Sequence, residues 1–237
     1  MRQLSTSGAA AGRTARKMII DAHAHLFDAG YFPPAWHDRT AQRWAKAVYP
    51  PRDPADIRPN IERGFVDKDG SILMAELDRA GIDAAVCLTL DWALVVDDLS
   101  GVSPAEMMQH YAKIAEMYPG RFYAFAGIDP RRPDGLEVYE RSVREWGMRG
   151  LKLYPPCGYF PYDDVCLPFY EKSLELGVPV VIHTAMVSWP MNGRFAHPTG
   201  VADVQSRYPD LEIIFAHSGY PLWAEEAIHT AAGHPNS

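Results

Sequence analysis

The feature of this sequence that most constrains its fold is the alternation of short apolar segments with helical patterns. Six segments rich in β-branched residues are bounded by Gly, Pro or Asp, and they predict strands at about 18–25, 83–90, 122–128, 149–153, 178–183 and 211–217. Helical patterns separate or follow these segments at about 71–80, 104–118, 134–147, 167–176, 200–208 and 221–232. Strands that alternate with helices favour a parallel sheet covered on its faces, so we expect an α/β fold.

Two parallel architectures are compatible with this alternation, the open doubly wound sheet and the closed (β/α)8 barrel. No GxGxxG motif follows the first predicted strand, so the dinucleotide-binding form of the open sheet is not indicated. In a barrel, functional residues gather at the carboxyl ends of several different strands. Three of the apolar segments end in histidines, namely His23, His25, His183 and His217. This placement favours an α/β fold of the (β/α)8 TIM-barrel type.

The spacing of these histidines indicates a shared site. His23 and His25 are two residues apart in a predicted strand, so both imidazoles point to the same side of the sheet. His183 follows Val181 at the same spacing in the segment VVIHT. A single histidine at the end of an apolar strand is more often structural than a ligand. Several neutral imidazoles that meet in one cleft, however, are typical of a zinc site.

Lys152 is a further candidate site residue. In the segment GLKLY it alternates with Leu151 and Leu153, which places its ammonium group on the opposite face of the strand from two leucines. A lysine inside a barrel is costly unless it is paired or functional. Two interpretations follow: an ion pair with a carboxylate such as Asp21 or Asp91, or a role in the site.

Composition excludes several partner classes. The formal net charge of the 237 residues is -7, and no basic face compensates it, which argues against nucleic acid. No apolar stretch approaches the roughly 20 residues of a membrane helix, so no membrane partner is expected. Cys87, Cys157 and Cys166 form no CxxC pattern, which indicates buried apolar roles and a reducing, cytoplasmic compartment. We expect a small-molecule substrate. The composition leaves open whether the chain forms a homo-oligomer.

We expect one domain from residue 18 to residue 237. Residues 1–17 are basic and have no apolar core of a signal peptide, so they predict a disordered leader or an upstream start, although a transit peptide has a similar composition. Residues 26–70 are expected to form a long loop over the site. Aromatic and basic residues of that loop, together with aromatics after strands four and five, suggest a planar or acidic substrate or else simple rim packing: Tyr31, Phe32, Trp36, Trp44, Tyr49, Arg39, Arg43, Arg52, Arg58, Tyr154, Tyr159, Phe160, Trp189 and Phe195.

Five sequence blocks in order resemble the amidohydrolase superfamily. They are DAHAHLFD, AELDRAGIDAAV, GLKLYPP, VVIHTA and IIFAHSGYP. The chain is most similar to the amidohydrolase-related family, in the branch that contains aminocarboxymuconate-semialdehyde decarboxylase. The resemblance implies a (β/α)8 barrel and one divalent metal ion, with zinc as the expected ion. It also implies that His23, His25 and His183 are metal ligands and that His217 acts on the substrate or on bound water.

Members of this family continue with a seventh strand and with an eighth that ends in a metal-binding aspartate. This sequence ends at GHPNS, so we expect a barrel truncated after strand six, with exposed edges on strands one and six. A truncated record, a fragment and a degenerate gene would each account for this ending.

Three functions remain open at this point. The resemblance implies a metal-dependent hydrolase that uses metal-activated water on an amide, lactone or ester of a small, aromatic or acidic substrate. A metal-dependent non-oxidative decarboxylase on the same scaffold is the first alternative. A non-catalytic truncated fragment is the second.

Overall fold

The computed structural model describes residues 17–32, 34–96, 102–187, 190–234 and 236. Nearly all of the predicted leader lies outside these residues, and so does Trp189.

The sheet is made of parallel strands in sequential order. Strands β1 to β6 of the described chain are Ile20–Ala24, Ala84–Leu88, Phe122–Gly127, Leu151–Leu153, Val180–His183 and Ile213–Ala216. Each strand pairs in parallel with the next strand of the sequence, in the order β1-β2-β3-β4-β5-β6. A doubly wound sheet would reverse its strand order at a switch point, and this sheet does not. The barrel-type α/β architecture and all six predicted strands are therefore confirmed.

Helices follow the strands as in successive β–α units. Helices α1 to α8 of the described residues are Pro34–Ala47, Pro54–Glu62, Ser71–Ala80, Pro104–Met117, Gly135–Arg144, Leu167–Leu176, Thr199–Arg207 and Ala224–Ala232. All six predicted helices are present within a few residues of their expected bounds. Among the described residues, no helix has the length and apolar character needed to cross a membrane.

The segment 26–70 is helical where a loop was expected. Helices α1 and α2 form a hairpin that packs through Ala41, Ala45 and Ile57. The expectation of an irregular loop is therefore corrected. The buried side of α1 consists of alanines and a histidine, so the hairpin carries no strong apolar periodicity that the sequence could reveal.

The core has two layers, as expected for a sheet that curls toward a barrel. The larger layer lies between the strands and the surrounding helices. The smaller layer lies on the inner face of the sheet and contains Leu88, Phe125, Val181 and Ala216. Lys152 pairs in register with Val181, so both residues belong to the inner face. The three cysteines are free and buried, which confirms their predicted apolar roles.

Candidate active site

The four histidines singled out from the sequence meet at the carboxyl ends of three strands. His23 lies in β1, His183 ends β5, and His217 follows β6 directly. The ring centroid of His217 lies 4.5 Å from that of His23 and 4.7 Å from that of His183. The rings of His23 and His25 lie 5.0 Å apart. Since β1 and β6 come first and last in the sheet, this contact reflects the curl of the sheet. The roles of His23, His25 and His183 as metal ligands and of His217 as a catalytic residue stay predictions.

The nitrogen geometry of His23 and His25 favours a shared cation. The Nε2 atoms of the two rings are 3.0 Å apart. Nδ1 of His25 lies 2.8 Å from the carbonyl oxygen of Leu88, which can only accept, so this nitrogen carries the proton. In a neutral ring the lone pair of His25 is then on Nε2, facing His23. Backbone carbonyls fix metal-ligating histidines in this way.

His183 has a nitrogen without a partner. Its side chain is 5 % exposed, and among the described residues its Nε2 atom has no hydrogen-bond partner although it is shielded from solvent. The ring packs on Tyr154, with 4.4 Å between the centroids. A buried polar atom that lacks a partner costs about 1–3 kcal/mol, and a bound cation would offset that cost.

A strained turn positions His217. The φ angles of His217 and Ser218 are 68° and 45°, in the left-handed region that residues other than glycine rarely adopt. Such a conformation costs of order 1–3 kcal/mol and is common at functional sites. The strand before the turn is held by Thr184, whose N–H and hydroxyl both donate to the carbonyl of Ala216, at 3.1 and 2.9 Å.

Lys152 is buried beneath the histidines without an ion pair. Its side chain is 1 % exposed, and in the described part of the chain its Nζ atom has no hydrogen-bond partner. Asp91 pairs with Arg132 instead, at 2.8 Å between Nη2 and Oδ1. The proposed ion pair of Lys152 with a carboxylate is therefore wrong. Burial lowers the pKa of Lys152 to about 7 because the charged amine has lost its hydration.

The imidazoles of the cluster are uncharged at neutral pH. Burial, followed by the charge of Lys152, lowers the pKa of His23 to about 3, of His25 to about 4 and of His183 to about 2. The same two causes lower the pKa of His217. Neutral imidazoles are the form that binds metal, so no proton has to leave these rings first.

The donor set fits a divalent ion such as zinc in ligand type. At a zinc–nitrogen distance of about 2.1 Å, two Nε2 atoms 3.0 Å apart subtend about 90° at the metal. Among the described residues, no group of three or more His, Cys, Asp or Glu side chains is placed so that it could hold a metal ion. The nitrogen spacing of the His23–His25 pair fits a cation, and the unpartnered Nε2 of His183 fits it in ligand type.

A cavity of about 320 Å³ lies beside helix α1, and we call it the cationic cavity. One face of α1 lines it with residues spaced three or four apart: Trp36, Arg39, Thr40 and Arg43. Tyr154 forms another wall and connects the cavity with His183. Burial raises the pKa of Tyr154, while the charge of Arg43 opposes that rise. No acidic side chain lines the cavity among the described residues, so its chemistry favours an anion.

The other aromatic and basic residues named from the sequence and described by the structure do not line this cavity. Trp44 and Tyr49 are 50 % and 98 % exposed, so they do not roof the site. Arg52 pairs with Asp56, and Arg58 pairs with Glu62 on the surface of the hairpin. Phe160 and Phe195 pack on each other, and Tyr159 accepts a hydrogen bond from the N–H of Tyr154. Trp92, which lines the cationic cavity, was missed, although its place just after β2 is a signal for a rim residue.

The chain belongs to the Amidohydrolase family, because residues 20–237 match the model of that family. It is 26% identical over 194 residues to 2-keto-4-carboxy-3-hexenedioate hydratase of Sphingobium sp., which covers 71% of this chain and 52% of the hydratase. The chain thus spans about half the length of this curated relative.

Solved structures with a similar fold agree with the barrel. An uncharacterized TIM-barrel protein from Bordetella bronchiseptica matches with a TM-score of 0.65 and 22% identity, over 93% of this chain and 73% of that one. The 5-carboxyvanillate decarboxylase of Novosphingobium aromaticivorans matches with a TM-score of 0.60 and 18% identity, over 91% and 71% of the two chains. These similarities concern the fold alone.

Proposed function

We propose that the protein is a metal-dependent enzyme that activates water against a small, planar, carboxylate-bearing substrate. The attack would be hydrolysis of an amide, lactone or ester, or addition of water to a conjugated double bond. The observation that carries this proposal is the pair of Nε2 atoms of His23 and His25 at 3.0 Å, with the tautomer of His25 set by the carbonyl of Leu88.

His23, His25 and His183 are the residues that would hold the ion. A divalent ion supplies a Lewis acid that lowers the pKa of water and polarises a substrate carbonyl. Zinc is the ion that three neutral imidazoles favour. Manganese is the second candidate, since the structure of the similar 5-carboxyvanillate decarboxylase contains bound manganese.

His217 is proposed to handle the proton or orient the substrate. Its ring touches those of His23 and His183, and it carries no charge at neutral pH because burial lowers its pKa. A neutral imidazole accepts a proton from a nucleophile and can return it to a leaving group. The amine of Lys152 is buried near the same cluster, which supports a role in the site. We propose no catalytic step for it.

The cationic cavity supports an acidic, planar substrate. Arg39 and Arg43 bring two positive charges to one face, and guanidinium groups bind carboxylates through paired hydrogen bonds. Trp36 and Tyr154 supply flat walls beside them. The volume of about 320 Å³ is at the lower end of the range for ligand pockets, which indicates a molecule with about one ring.

Non-oxidative decarboxylation is the second candidate. The similarity in fold to 5-carboxyvanillate decarboxylase favours it, and the two arginines of the cationic cavity would hold the carboxylate that is lost. The two reactions differ in their products, because water activation adds one water to the substrate and decarboxylation releases carbon dioxide. Product mass after incubation with unsaturated and aromatic carboxylic acids distinguishes them.

Metal binding to histidine variants tests the proposal. We expect the purified protein to bind about one zinc ion and the double variant His23→Ala/His25→Ala to bind at least 100-fold more weakly, since loss of metal ligands removes most of the binding free energy. Elemental analysis and calorimetry with zinc or manganese measure this. His197→Ala is the matched control, because His197 is exposed and bonded to Thr199. Equal metal binding by the double variant and the control would overturn the proposal.

A further inference from the structure

A second cavity lies next to the cationic cavity. Its volume is about 270 Å³, and its walls come from the segment after β1, the loop after β2 and the start of α4. We call it the aromatic cavity, because rings and other apolar side chains form most of its wall: Tyr31, Phe32, Trp36, Trp92, Val96 and Met107.

The aromatic cavity is separate from the candidate active site. None of the four clustered histidines lines either cavity, but the aromatic cavity also lacks Arg39, Arg43 and Tyr154, the cationic-cavity residue whose ring packs on His183. Among the described residues, the two cavities share Trp36, Trp92 and Val96, which form the wall between them. A ligand in the aromatic cavity would therefore contact this shared wall but neither the clustered histidines nor the two arginines.

The described side chains of this wall pack closely on one another. The ring of Phe32 is stacked on Trp36 at 4.6 Å between centroids and packs on Trp92 at 5.4 Å. Val96 and Met107 are 1 % and 5 % exposed, so their positions are fixed by packing. The side chains of a preformed apolar cavity lose little conformational entropy when a ligand binds, which favours binding.

The charged residues that line the aromatic cavity are already paired with protein groups. Arg132 binds Asp91 through Nε and Nη2, and Asp91 also accepts the N–H of Asp129 at 2.9 Å. Glu106 accepts the hydroxyl and the N–H of Ser103 at 2.7 and 3.0 Å. An anion at Arg132 would have to displace Asp91, whereas an uncharged ring would not.

We propose that the aromatic cavity is a binding site for a small, uncharged aromatic molecule of about the size of a substituted benzene. Its ring packs against Trp36 and Trp92 and removes apolar surface of both partners from water. This site goes beyond the proposed function, because it requires neither the metal nor the reaction.

Methionine methyl groups report on each cavity separately. Met107 lines the aromatic cavity, and Met186 and Met191 line the cationic cavity. Uncharged anisole should shift the methyl resonance of Met107 in an NMR titration and leave those of Met186 and Met191 in place. Substitution of each methionine by leucine assigns the signals with little change in volume. Shifts confined to Met186 and Met191 would overturn the proposal, and so would displacement of anisole from Met107 by benzoate.

Filling the cavity gives the second test. Ala93→Phe and Val102→Phe each place a ring in the aromatic cavity and should weaken anisole binding by about tenfold or more. Two variants are needed because one of them can disturb folding, which circular dichroism reveals. Leu94→Phe is the matched control, since Leu94 is 45 % exposed and lies outside the lining. Unchanged anisole affinity in both folded filling variants would refute the site. A failure of benzoate to bind would count against the substrate class alone.

Discussion

At the scale of single residues, the turn after β6 has a strained backbone that lowers the stability of the fold and places the imidazole of His217. His217 and Ser218 both have positive φ, and their backbone brings the ring of His217 between those of His23 and His183. Residues that carry a Cβ atom are strained there, whereas glycine adopts this region at no steric cost.

Ser218→Gly should therefore raise the free energy of unfolding by about 0.5–1 kcal/mol, because glycine relieves the strain at φ 45°. Urea denaturation followed by circular dichroism measures the change. Ser206→Gly is the matched control, since Ser206 is exposed inside helix α7, where glycine lowers stability by roughly 0.5 kcal/mol. A loss of stability in Ser218→Gly as large as that of the control would contradict the argument.

At the scale of elements, helix α1 packs on helix α2 with one face and lines the cationic cavity with another. Ala41 and Ala45 pack on α2, while Trp36, Arg39 and Arg43 face the cationic cavity. The small residues of the first face let the two helices approach closely, and the hairpin holds the second face over the strand ends.

Neutralising the α1 arginines should impair substrate binding more than turnover. We expect Arg39→Gln/Arg43→Gln to raise KM for a carboxylic acid substrate by about tenfold or more, since a hydrogen bond to a charged group contributes about 1.5–3 kcal/mol. Steady-state kinetics with kcat and KM measured separately checks this. Arg52→Gln is the control on the exposed side of the hairpin. An unchanged KM in the double variant would show that the cavity does not select acids.

The sequence predicted the strands and the helices that pack on them, since their apolar residues recur at regular spacing. It did not predict α1 and α2. Pro59 lies inside α2, where proline is unfavourable, and the buried residues of α1 are His37, Ala41 and Ala45, which lack the size of typical core residues. The sequence also could not predict contacts between distant segments. The ion pair of Asp91 with Arg132, for example, joins loops that are 41 residues apart.

At the scale of the whole molecule, the buried titratable cluster makes global stability depend on pH. The pKa values of His23, His25 and His183 fall from 6.5 to about 3, 4 and 2, and that of Lys152 falls from 10.5 to about 7. The unfolded chain therefore binds more protons than the folded protein between about pH 2 and 6.5, and again between about pH 7 and 10.5. In both windows the stability contributed by these groups rises with pH.

We expect the unfolding free energy of the metal-free protein to increase between pH 7 and 10 by up to about 1.4 kcal/mol per pH unit from Lys152. Lys152→Met should remove this rise between pH 7 and 10, and it should also reduce the pH dependence of stability on the acid side, because the charge of Lys152 helps to lower the pKa of the histidines. Urea titrations with a chelator present measure the stability in both pH ranges. Lys113→Met, on an exposed position of α4, is the control and should retain the slope. Identical slopes in the two variants would exclude Lys152 as its source.

The sequential strand order has a consequence for how such a protein diversifies. Strands that are neighbours in the sheet are also neighbours in the sequence. Each β–α unit therefore contributes its own side chains to the site. The first unit supplies two imidazoles, the fourth an amine, and the fifth and sixth one imidazole each. A mutation or an insertion at the carboxyl end of one strand alters the groups of that unit and leaves the core layers of the barrel intact. Selection can thus exchange substrates on this framework one loop at a time.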